Sequence, residues 1–253
     1  MPDAVDSLLL TAARVTTFDG TRLLTHASGF FFERGGRLFL VTSRHVLIDE
    51  PTSHTPDRIE IELHTDPGNL TRSTGFSMLL YRDGRAAWRQ GRDAAGEIDV
   101  AVIEVDRAML PAGTLLCAFG PAHLLPPDAS LEIGSSLLIL GFPMGFHDTL
   151  HHLPVVRQAM LASAYGLRFQ GEGYFLTDAR THRGTSGAPV VHRMPAPAGT
   201  PAPALPWQLL GVHSARLDVG GRELAVDEAL GLNSAWYADI LLTLTAGVDA
   251  RPA

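Results

Sequence analysis

Short apolar runs of strand length recur along this chain, each ended by a glycine pair, a proline or a polar cluster. They are GFFFE, LFLVTS, RIEIELH, FSMLLY, DVAVIEV, SLLILGF, GYFLTD, APVVH and WQLLGVHS. Runs this short, rich in Val, Ile, Leu and Phe and bounded by turn residues, make strands rather than helices. ERGGR and DVGGR carry the glycine pairs of hairpin turns. Sustained helical periodicity is absent until NSAWYADILLTLT, where Trp236, Ile240, Leu241 and Leu244 share a face behind an Asn233–Ser234 cap. The pattern predicts an all-β chain closed by one C-terminal helix over about 234–245. The proline-rich stretch Phe119–Ser130 divides the strands into two groups, giving an N-terminal unit over 1–120 and a C-terminal unit over 121–253. Met194–Pro206 is too rich in Pro and Ala to pair in a sheet and is expected to be an exposed excursion between two strands.

Composition narrows the function. At 253 residues the chain can bury a substantial core. A net charge of −7 without any basic run argues against nucleic acid and against an anionic membrane surface. No apolar run approaches the ~20 residues that span a bilayer as a helix. The opening MPDAVDSLLLTAAR has Asp3 and Asp6 where a secretory signal needs positive charge, and Cys117 is the sole cysteine. Both features predict a cytoplasmic protein. All 20 Lys+Arg residues are arginine, which excludes lysine Schiff bases, Walker phosphate loops and Ser-Lys dyads.

One decapeptide stands apart: RGTSGAPVVH, Arg183 to His192. Gly184, Gly187 and Ala188 strip side-chain bulk from around Ser186, which suits a sharp backbone turn and close approach by another molecule. By itself this is also the composition of an ordinary turn before a strand. Partners for the serine come from two other strand ends. His45 follows LFLVTSR, where a rigid strand hands over to a turn. Asp99 stands at the mouth of DVAVIEV, where a carboxylate going into a core needs a donor such as a histidine N–H. Asp106, at the other end of that strand, reads as a solvated turn residue.

In the order His45, Asp99, Ser186, the segments VTSRHVL, DVAVIEV and GTSGAPV resemble the histidine, aspartate and serine motifs of the trypsin-like (chymotrypsin-fold) serine protease superfamily. The surrounding GFPMG, TDARTHRGTSGAPV and LLGVHSAR are similar to its bacterial, disulfide-free members, including Deg-type proteases, over roughly Ser28 to Ala215. The resemblance implies two six-stranded antiparallel β-barrels with the active site in the cleft between them. It implies a polypeptide substrate, no cofactor and no metal. It makes His45 the general base, Asp99 the group that orients it and Ser186 the nucleophile, with the Gly184 and Ser186 N–H groups as the oxyanion hole. Thr185 stands where secreted digestive members carry an aspartate that receives a freshly cut N-terminus, so no proteolytic activation is expected.

The same resemblance assigns substrate contacts. Ser214, Ala215 and Arg216 would pair with extended substrate as an added strand. Arg180, Thr181 and His213 would line the specificity pocket, and no acidic residue stands at its base, which disfavours Lys or Arg before the scissile bond. Thr181 with His213 resembles the hydroxyl–imidazole pair with which glutamyl endopeptidases hold a carboxylate; a small apolar residue, as in Deg-type relatives, is the alternative. Three rival readings fare worse. An α/β-hydrolase needs G-x-S-x-G, but Ala188 holds the last position, and the chain order and the strand after the serine are also wrong. His147, His151 and His152 in HDTLHH lack the glutamate of a metalloprotease pattern. An inactive binding or scaffolding module on the same fold would ordinarily have lost a member of the triad.

Overall fold

A computed structural model describes residues 5–194, 203–218 and 229–247. The N-terminal half contains β1 (Ala12–Asp19), β2 (Arg22–Arg34), β3 (Arg37–Thr42), the single helical turn α1 (Arg44–Leu47), β4 (Arg58–His64), β5 (Ser73–Leu79), β6 (Tyr81–Arg82), β7 (Arg85–Ala86), β8 (Trp88–Asp93) and β9 (Gly96–Val105). The C-terminal half contains β10 (Ser136–Gly141), β11 (Val155–Leu161), β12 (Tyr174–Asp178), β13 (Pro189–Arg193), β14 (Trp207–Asp218), β15 (Ala229–Tyr237) and α2 (Ile240–Leu244).

Strict alternation along the central strands explains why so many run apolar on both faces. In β2, Phe30 and Phe32 face one cluster and Phe31 the other; in β3, Phe39 and Val41 oppose Leu38 and Leu40. One cluster, with Ile59, Ile61 and Ile103, fills the N-terminal half. Another, with Leu137, Ile139, Phe175 and Leu210, fills the C-terminal half. The third lies at the seam, where Phe30, Phe39 and Val100 meet Leu140, Val212, Trp236 and Leu241. Each fully buried large side chain there contributes on the order of 2–3 kcal/mol, so the two halves share one core.

Two expectations need correction. The C-terminal half closes into a six-stranded antiparallel barrel, in the order β10-β11-β12-β15-β14-β13, whereas the N-terminal half is a seven-stranded sheet, β5-β4-β1-β2-β3-β9-β8. Its end strands β5 and β8 are not paired with each other, and the chain between them forms the separate β6–β7 hairpin. The helix is also shorter than predicted: Asn233, Ser234 and Trp236 belong to β15, and α2 spans only Ile240–Leu244 after Asp239. Pairing of β15 with β12 on one side and β14 on the other closes the barrel, and those ladders outweigh the local helical spacing. Of the proline-rich excursion, 195–202 lie outside the described residues, but it does join two paired strands, and Met194 N–H donates to Pro206 O across its base (3.0 Å). The DVGGR turn lies mostly outside the described residues.

Candidate active site

The strand ends place the three expected side chains around one cleft. His45 sits in α1, just after β3, and Asp99 in β9, the neighbour of β3 in the sheet. Asp99 holds His45 twice, accepting from its backbone N–H (2.9 Å) at Oδ1 and from its ring Nδ1 (2.7 Å) at Oδ2. A carboxylate only accepts, so the imidazole proton belongs on Nδ1 and the lone pair on Nε2. The Ser214 hydroxyl also donates to Asp99 Oδ2. Burial pushes the Asp99 carboxyl up, but the hydrogen bonds and charge of His45 and the Ser214 hydroxyl more than offset it, leaving a net downward shift. For His45, burial pushes down, while the Asp99 hydrogen bond and charge push up more strongly, for a net rise.

Ser186 borders the same cleft as His45. Its hydroxyl donates to the Ser214 carbonyl (3.0 Å) rather than to His45. The loop that carries it is held by three hydrogen bonds, two from Ser28 and one from Met144. Ser28 N–H donates to Ser186 O (2.9 Å), Ser28 Oγ to Gly184 O (2.7 Å), and Met144 N–H to Arg183 O (2.6 Å). Gly184 has φ +89°, and a Cβ there would lie 2.7 Å from Phe142 O, so glycine is required. In a planar trans peptide the carbonyl and N–H point oppositely. Anchoring Arg183 O on Met144 therefore turns the Gly184 N–H away from that loop. Among the described residues, neither the Gly184 nor the Ser186 N–H donates to another group of the chain.

The matching family model is the trypsin-like peptidase domain, over residues 27–194. The chain belongs to that family. Its fold is shared with the serine endoprotease from Yersinia pestis (TM-score 0.51, 16% identity, covering 93% of this chain and 61% of that one). This trypsin-like chain thus spans less than two thirds of that protein. A mutant, inactive form of Rv3671c from M. tuberculosis H37Rv also aligns (TM-score 0.47, 14% identity, covering 96% and 91%). No curated protein matches the sequence.

Of the assigned substrate contacts, Thr181, His213, Ser214 and Ala215 border one small cavity of about 220 Å³ together with Ser186 and His45. Arg180 is exposed and does not border it. The Arg216 side chain lies outside the described residues, although its backbone belongs to β14. Burial, with the nearby His45 charge, pushes His213 down to about 4, so its imidazole is neutral at physiological pH, and among the described residues its Nδ1 finds no hydrogen-bond partner. Thr181 Oγ donates to Asn233 Oδ1, and Asn233 Nδ2 donates to Ala179 O (2.8 Å), among other carbonyls of that wall. The HDTLHH segment is a loop: His147 contacts Gly145 O (2.6 Å) and His151 contacts Asp148 (2.8 Å). Among the described residues, no three His, Cys, Asp or Glu side chains are placed to hold a metal ion.

Sequence reasoning missed Ser28 and misassigned Asn233. Ser28 sits among small and apolar residues in ASGFFFE with nothing to mark it, yet it is wholly buried and bonds the nucleophile loop from the opposite half of the molecule. Asn233 looked like a helix cap because Asn and Ser favour that position. Its role is instead to bond the pocket wall.

Proposed function

We propose that this trypsin-like chain is a serine endopeptidase working through His45, Asp99 and Ser186. The observation that carries the reading is the doubly held Asp99–His45 pair facing a serine whose loop offers two uncommitted N–H groups. In the catalytic step the Ser186 hydroxyl would leave the Ser214 carbonyl and turn to Nε2 of His45, which borders the same cavity. His45 takes its proton as the oxygen attacks the scissile carbonyl, forming a tetrahedral oxyanion. The Gly184 and Ser186 N–H groups receive that oxyanion, each worth roughly 3 kcal/mol in the transition state. His45⁺ then protonates the leaving amine, the acyl-enzyme forms, and water repeats the sequence with His45 again as base. Asp99 stabilises the imidazolium throughout.

A fluorophosphonate probe should label the wild type and not Ser186→Ala. Peptide-library cleavage mapped by mass spectrometry should likewise depend on Ser186. Absence of both labelling and cleavage would leave the inactive-module reading standing. The pH dependence has a definite sign. Protonated His45 cannot act as base, and its pKa is raised, so kcat/KM should rise with pH around a midpoint above about 6.5. A midpoint below that value would contradict the Asp99–His45 coupling.

For the residue before the scissile bond we infer an acceptor-bearing side chain, Glu or Asp. His213 borders the small cavity beside Thr181 and Ser186, and an imidazole N–H presented there could donate to such an acceptor; the cavity also suits a side chain of that size. A bound carboxylate would favour proton uptake by His213, whose pKa in the free protein is about 4. In peptides varied only at that residue (Glu, Asp, Val, Ala, Arg), Glu should be cut fastest, and His213→Ala should reduce that advantage about ten- to hundred-fold. Faster cleavage after Val or Ala, indifferent to His213→Ala, would establish the small-apolar alternative.

A further inference from the structure

The nucleophile lies at a waist between two cavities. The smaller one, bounded by His213, Ser214 and Ala215, takes the acyl side in the endopeptidase reading, on which the following inference rests. The larger, about 420 Å³, opens on the other side and shares only His45, Arg183 and Ser186 with it. A chain threaded through the waist must lay its leaving-group half there. The floor of this cavity is apolar, formed by buried Ala27 and Val46, and the exposed Met144 flanks it.

The cavity also carries one carboxylate, Asp49. Its backbone is pinned by reciprocal hydrogen bonds with His54 (2.9 and 3.0 Å), and the Thr52 hydroxyl holds Oδ2. Among the described residues, no Arg or His stands within ion-pairing distance of Asp49, and Oδ1 accepts no hydrogen bond. The other titratable groups bordering the cavity do not neutralise it. His26 is held below its ordinary pKa by burial and by the charges of Arg14 and His147, so it is uncharged at neutral pH. His54 directs Nε2 at Val46 O (3.0 Å). His45 is committed to Asp99, and exposed Arg183 lies at the waist, bordering both cavities. An apolar floor leading to an unpaired carboxylate matches a long alkyl stem with a cationic head.

We propose that Asp49 makes this half of the cleft a selective subsite for a lysine or arginine side chain within the first two residues after the scissile bond. A cation placed there completes the Asp49 ion pair, while an acidic side chain meets repulsion without compensation. Because the pair is partly solvated, the selectivity is modest and sensitive to salt.

The test uses Ser186→Ala, which retains the cleft but cannot turn substrate over, and fluorescent peptides that differ only at the first or second residue after the bond (Lys, Arg, Gln, Glu). Binding followed by anisotropy should favour Lys and Arg over Gln by about three- to ten-fold at one of the two positions. Adding Asp49→Asn should abolish that preference, and high salt should shrink it. Asp49 also acts on His45 through its field, but in cleavage assays that effect is common to all peptides and cancels in ratios of kcat/KM. Glu equal to or better than Lys, a preference unmoved by Asp49→Asn, or no binding of any peptide would overturn the subsite. Retained, Asp49-dependent binding by a wild type that cleaves nothing would overturn the endopeptidase reading and leave the subsite standing.

Discussion

Ser186→Ala and His45→Ala are each expected to lower kcat/KM by on the order of a million-fold, and the double variant to be hardly worse. The reason is that neither group does chemistry alone: an alcohol without a base is a poor nucleophile at neutral pH, and the base without the alcohol has nothing to activate. Asp99→Asn should cost roughly ten-thousand-fold, because an amide no longer dictates that the His45 proton sits on Nδ1. The backbone N–H of His45 bonds the same carboxylate through its other oxygen, so the substitution should leave the fold largely in place. Steady-state kinetics on the single and double variants decide the matter. Independent, multiplicative losses would show that the three residues do not act as a unit.

The second large effect is on stability. Gly187 has φ +85°, and a Cβ there would lie 2.2 Å from the Ser28 carbonyl oxygen and 2.3 Å from Thr42 Oγ. Both neighbours are buried and bonded to each other, Thr42 Oγ donating to Ser28 O (2.7 Å), so neither can withdraw freely. Gly187→Ala therefore combines left-handed strain with a backbone collision, for roughly 3–5 kcal/mol. Gly166→Ala is the control: its φ is +86° but nothing lies within 4 Å of the new carbon, so strain alone remains, about 1–2 kcal/mol. Urea denaturation should separate the two variants clearly. Equal stability would mean that the nucleophile loop can move away from β2 at little cost.

The parts of this molecule legible in its sequence are those where chemistry restricts residue choice. A turn stripped of bulk around Ser186, a histidine after a buried strand and a carboxylate entering one are each ordinary alone and become legible as three in order; the structure places His45 and Ser186 on one cleft, with Asp99 bonded behind His45. Ser28 was invisible because a small buried hydroxyl has no periodicity and its partners lie in the other half of the chain. The end of the chain misled for a different reason. Trp236, Ile240, Leu241 and Leu244 do fall at helical spacing, but Trp236 reaches the seam from β15 and only the other three from the short helix α2. The helical spacing is real from Ile240 onward, and its extension back to Trp236 runs into a paired strand. Failure of the N-terminal sheet to close was likewise unreadable, since it depends on whether β5 meets β8 and not on the composition of either.

The bonds from Ser28 to Gly184 and Ser186 cross between the two halves, and the seam core lies behind them. The loop carrying Ser186 is therefore not a property of the C-terminal half alone: its position is set by a residue contributed from the other half, so the cleft keeps its shape only while the two halves stay joined.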